Sequence, residues 1–174
     1  IGTAERARRA RGQIREGLAY VRRHHRLRAP LVMMVLIGTF GYEFQVLLPL
    51  VAVDTFHGGP TTLGLISAAQ GGGAVVGGLA VARWGRTGVA VVSASAAAFG
   101  CAMFFAAMAP DLMTEVVALA LVGATSIAFL SAGNSTLQLA ADPKLRGRVM
   151  ALWTTAFVGS TPIGGPIVGW LAQH

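Results

Sequence analysis

All fourteen Lys and Arg residues of this chain fall in three short stretches, separated by long apolar segments. Nine arginines lie between Arg6 and Arg28; Arg83 and Arg86 follow the second apolar segment; Lys144, Arg146 and Arg148 follow the fourth. The intervening connections, around Asp54–Pro60 and Pro110–Glu115, hold no Lys or Arg. Basic loops are retained on the cytoplasmic side of a membrane, so their alternation with uncharged or acidic loops marks a polytopic membrane protein. Only helices suit these segments. Open sheets would leave backbone donors unsatisfied in lipid, and the runs are too long and too evenly apolar for barrel strands. The expected class is all-α and multi-pass.

Composition agrees. Charged residues make up 12% of the chain, against about a quarter in a soluble domain. The formal net charge of +7 would suit nucleic acid, but the Arg run has no repeated basic-aromatic pattern, Tyr20 standing alone in it, so nucleic acid is not expected as a partner. Beside apolar spans, that charge suits an anionic cytoplasmic leaflet. Cys101 is the sole cysteine, which excludes a disulfide framework and a cysteine metal site.

Five spans are predicted, at about residues 31–53, 62–82, 87–109, 116–141 and 149–171, each near the ~20 residues a hydrocarbon core requires. Residues 1–28 form an Arg-rich cytoplasmic linker, and 29–174 the transmembrane domain. Ile14, Leu18 and Val21 recur at i, i+4 and i+7, the stripe of an amphipathic helix that lies in the interface. The basic connections put the N-terminal segment in the cytoplasm and His174 outside, in a bacterial inner membrane. The third span, Ala-rich and uncharged, is expected to face lipid. Trp84, Trp153 and Trp170 lie near span ends, where aromatic belts form. The chain starts at Ile1, lacks a signal-peptide pattern and holds an odd number of spans; a sixth span and further chain are expected outside these residues.

Glu43 is the carboxylate closest to the midplane of a predicted span. A charge at that depth costs roughly 2.5–3.5 kcal/mol on insertion scales, so such residues usually face a cavity or a partner and mark a substrate or proton path. Gln45 points about 200° away around a helix, and Pro49 removes the amide that would serve its carbonyl. Gln70 lies on a face of the second span with Ser67 and Gly71. Ser131, Asn134, Ser135 and Gln138 form a stripe at i, i+3, i+4 and i+7 of the fourth; such stripes line a path or bond neighbouring helices. Gly73 with Gly77, and Gly165 with Gly169, are GxxxG pairs that allow close helix approach. No HExxH, GxSxG or paired-aspartate motif is present, and Gly71-Gly72-Gly73 lacks the Lys of a phosphate loop. Neither an enzyme nor a cofactor is expected.

Several stretches carry a family resemblance. They are Gly41-Tyr42-Glu43-Phe44-Gln45 running on to Leu50, Leu63-Gly64-Leu65 running on to Gly73, Gly133-Asn134-Ser135-Thr136-Leu137-Gln138, and Leu145-Arg146-Gly147-Arg148 running on to Leu152. Together they resemble the C-terminal half of a major facilitator superfamily transporter, in the branch of enterobactin exporters and macrolide-efflux-like proteins. The resemblance implies that the spans are the seventh to eleventh of twelve helices. It also implies a cytoplasmic loop motif at Gly78, Arg83, Gly85 and Arg86, with Ala82 where the family has Asp. It further implies an N-terminal half of the same chain as partner, alongside the bilayer and a small-molecule substrate. The expected function is export of amphipathic molecules, drugs or siderophores, by alternating access as a proton antiporter. A uniporter or importer of the same fold, or a non-transporting membrane fragment, is the alternative.

Overall fold

The computed structural model describes residues 16–42 and 44–172, the side chains of 44–46 and 160–172 excepted. Every regular element among the described residues is helical. Helix α1 covers 16–23 and α2 runs His25–Phe40. Helix α3, Phe44–Leu50, continues into a π-helical turn, Val51–Thr55. Then come α4 (Pro60–Trp84), α5 (Val89–Ala107), α6 (Leu112–Ala140) and α7 (Arg146–Ala172). Helices α4, α5 and α6 are each long and apolar enough to cross a membrane.

Local chemistry sets the helix ends. Pro60 occupies the first turn of α4, where its missing N–H is no loss. That helix stops at Gly85, whose φ of 55° places it in the left-handed region that side chains with a Cβ avoid. Asp111 caps α6: its carboxylate accepts the Thr114 N–H at 2.9 Å and the Thr114 hydroxyl at 3.0 Å. These two bonds, the backbone one first, hold the exposed Asp111 carboxyl below its ordinary range. At the head of α7, Asp142 accepts the Lys144 N–H at 2.8 Å.

Helix α6 is the centre of the bundle. In its most apolar stretch 44% of residues are buried, against 17% in both α4 and α5. The expectation that the third span alone would turn outward therefore changes, since α4 presents as much open apolar surface as α5. Val75, Val76, Leu79, Phe104 and Met113 all stand exposed. Surfaces like these suit hydrocarbon.

Helices α4 and α6 run parallel, with Gly73 beside Ala120 and Gly77 beside Ala124. The α1–α2 segment runs parallel to α7: Tyr20 meets Asp142 near the start of both, and Tyr42 meets Phe157 further along. This arrangement gathers the basic stretches at one end. Glu16 pairs with Arg148 at 2.6 Å, and the Asp142 N–H donates to the Tyr20 hydroxyl at 3.2 Å. A recess of about 540 Å³ joins His25 and Arg26 to Thr87, Gly88 and Thr136. The Asp54 and Asp111 connections meet at the other end, around a smaller recess lined by Thr55, Phe56 and Ala109.

The segment expected as a separate linker joins this core. Val21 is buried with Leu31, Val149 and Trp153, while Leu18 of the same stripe stays exposed. Ile14 lies outside the described residues. Helix α2 begins at His25 and passes through Pro30, so one rod crosses the expected boundary at 28. Trp153 also departs from the belt expectation. Its indole is 5% exposed and lies over Gly133, where a Cβ would strike the ring.

Candidate functional site

The first predicted span is two helices. Helix α2 ends at Phe40, Gly41 closes it by donating to the Ile37 carbonyl at 2.7 Å, and helix resumes at Phe44. Gly41 is required because a Cβ there would meet the Phe99 ring of α5. Tyr42, the next residue, pins the break to three other helices. Its hydroxyl donates to the Ser126 carbonyl of α6 at 3.0 Å. Its ring stacks on Phe99 of α5 at 5.6 Å and meets Phe157 of α7 edge-on at 5.5 Å. Glu43 lies outside the described residues, between Tyr42 and Phe44. Gln45 belongs to α3, with its side chain outside the described set. Pro49, inside α3, deprives the Gln45 carbonyl of its helical donor, and the chain then loosens into the π-turn. Interrupted helices of this kind, with freed backbone groups, form binding sites in membrane transporters.

Gln70 sits at the level of this break. Its carbonyl abuts Gly123, which lies one helical turn before Ser126, the anchor of Tyr42. Asn134 and Gln138 do not join them. They are eight and twelve residues beyond Ser126 on α6, about 12 and 18 Å along the axis at 1.5 Å per residue. Gln138 Nε2 donates to Asn134 Oδ1. Ser131 and Ser135 of the same stripe line a recess of about 330 Å³ with Gly78, Gly85, Arg86 and Thr87. The loop-motif positions and the serines of α6 thus share one pocket at the basic end, while Arg83 stands exposed in the last turn of α4.

Gly73 and Gly77 face α6 so closely that a Cβ at either would overlap the Ala120 or Ala124 carbonyl, and Gly123 is held equally tightly by Gln70. Gly165 and Gly169 fall in α7, where side-chain surroundings are outside the described set.

Sequence reasoning missed two residues. Tyr42 was passed over in favour of Glu43, although the glycine before it was a signal for a break. Glu115 was assigned to an outer loop. The Asp111 cap starts α6 at Leu112 instead, and Glu115 lies in its first turn, 3% exposed, on one buried face with Ala118, Leu119 and Val122.

The fold gives apolar helices with one of them broken, and the family comparison says what they belong to. A family model described as transmembrane secretion effector matches residues 4–174. The chain belongs to the transmembrane secretion effector family. This family is of the major facilitator type, so the protein is a membrane transporter by kinship. Comparison with curated proteins and with solved structures gives no match.

Proposed function

We propose that this chain is part of a secondary active exporter that moves small amphipathic molecules by alternating access and is driven by protons. The observation that carries the reading is the break at Gly41–Tyr42 beside Glu43, an ionisable residue in a segment of apolar neighbours. Glu43 loads and releases the proton. Gln45 and Gln70 line the path at the level of the break, and Asn134 and Gln138 line it nearer the basic end. Gly78, Arg83, Gly85 and Arg86 form the cytoplasmic loop against which the halves of the transporter work.

The basic end faces the cytoplasm across a bacterial inner membrane; the gathering of Arg22, Arg86 and Arg148 at one end of the bundle supports the orientation, because basic loops are retained inside. The walls beside the break are apolar and carry few polar groups. Drugs or siderophores of the enterobactin and macrolide type are the cargo that family likeness suggests. An N-terminal half completes the cavity.

The test is accumulation of hydrophobic dyes, macrolides and siderophores in cells that carry the full-length protein, with and without a protonophore. Lower accumulation that the protonophore abolishes, and that Glu43→Gln also abolishes, supports the reading. Flux indifferent to both would identify a uniporter or importer; no flux at all would identify a membrane module that does not transport.

A further inference from the structure

The transport reading leaves Glu115 unused. This carboxylate is 97% buried, and its Oε2 has no hydrogen-bond partner among the described residues. It lines a recess of about 210 Å³ whose other walls include Leu48, Val51, Phe56, Met103 and Leu119. Among the described residues, no Lys, Arg or His lines the recess. The remaining titratable groups on the packed elements are all exposed: Asp111 at the cap of α6, Asp54 and His57 in the α3–α4 connection, and Cys101 on α5.

A buried, unpaired carboxylate is costly unless something neutralises it. The walls then select the counter-charge. A hard metal ion needs about six oxygen ligands, and the described residues hold no cluster of three metal-binding side chains. An organic cation needs a single carboxylate and apolar contact for its body, and the Phe56 ring offers a further attraction to such a cation. Asp54 and Asp111 add to the negative field at this end, where the described connections carry no Lys or Arg, and such a field raises the local concentration of cations.

We propose that this recess binds a small lipophilic ammonium ion, with the charged nitrogen on Glu115 and the apolar body against Leu48, Phe56, Met103 and Leu119. The ammonium comes either from a free organic amine or from the ethanolamine headgroup of a lipid. This site is separate from Glu43 and stands without the proton-coupling reading.

The probe is radiolabelled benzyltrimethylammonium, a permanent cation of suitable size, measured by equilibrium binding to the full-length protein in nanodiscs. Saturable binding is expected, with no competition from the neutral isostere neopentylbenzene. Glu115→Gln should weaken binding about tenfold or more, the ratio that loss of one buried charge pair readily gives. Ala106→Leu, which fills the recess and keeps the carboxylate, should weaken it as well. Asp142→Asn, at the opposite end of the bundle, should leave it unchanged. In discs of equal phosphatidylglycerol content, weaker probe binding when the remainder is phosphatidylethanolamine than when it is an uncharged glycolipid assigns the site to the headgroup, and equal binding assigns it to a free amine. Absent saturable binding, or full binding in folded Glu115→Gln and Ala106→Leu, would overturn the proposal. So would loss of binding in Glu43→Gln with Glu115 intact. Flux that ignores the protonophore would instead defeat the Glu43 reading and leave this result standing.

Discussion

The seam between α4 and α6 and the joint between α2 and α3 are built in opposite ways. At the seam, backbone meets backbone: Gly73, Gly77 and Gly123 remove the side chains that would hold the helices apart. Two unbroken rods result, of 25 and 29 residues. At the joint, one rod is cut by Gly41 and Tyr42, and large rings fill the gap. Close backbone packing leaves no room for sliding. The cut helix is pinned at its break by the Tyr42 hydroxyl and ring among other contacts, and a π-turn lies just beyond. The difference sets α4–α6 apart as a close-packed frame and α2–α3 as a jointed segment.

The frame gives the largest expected effect. Gly123→Val forces a branched side chain into the Gln70 carbonyl; overpacking of this kind costs typically about 1–3 kcal/mol and more where the obstacle is backbone. The expected outcome is a loss of folded protein, measured as monodisperse yield in detergent. Gly71→Ala is the contrast: nothing lies within 4 Å of a Cβ there, and helix propensity predicts a gain of up to about 1 kcal/mol. Equal damage from both would erase the distinction between seam and open face.

The joint should respond less. Tyr42→Phe keeps both ring contacts and deletes the bond to the Ser126 carbonyl, a loss of about 1 kcal/mol seen as a lower thermal midpoint. If the bond holds the break in one of two states, the same substitution changes transport rate more than it changes yield. A fall in yield matching that of Gly123→Val would place Tyr42 in the frame.

The smallest effect is expected at the cap of α6, one turn before Glu115. Asp111→Ala removes the bonds to Thr114 and should lower the thermal midpoint slightly. The Asp111 carboxyl is held below its ordinary range by those bonds, so its contribution is present above the unfolded-state pKa and is lost as pH falls through the lower folded value. Acidification should therefore narrow the gap between wild type and Asp111→Ala. A gap independent of pH would mean that the carboxylate contributes nothing as a charge.

Much of the frame was legible in the chain. Gly73 and Gly77 stand four apart in an apolar run, and Pro60 and Gly85 bracket it with a first-turn proline and a left-handed stop. The joint was less legible. Pro49 was read only as the loss of the amide serving the Gln45 carbonyl; α-helix gives way to a π-turn just after it, while the full break falls seven residues earlier, where a Cβ would meet Phe99 of another helix. The candidate polar residues were read as one path. The structure sets Gln70 near the break and Asn134 and Gln138 farther along α6, paired with each other. Trp153 was assigned to a span end by its sequence position, and Gly133, twenty residues upstream, draws it inside.

What the sequence determined alone is the class: helical, apolar, with its basic residues confined to particular connections. Those properties are sums over about 20 residues at a time, and no neighbour can reverse them. The tertiary structure decided where the first rod breaks, which glycines carry the frame, and that Glu115 is buried rather than displayed on a loop. Each of these depends on one atom meeting another from a distant helix, and such a meeting has no local signature in the chain.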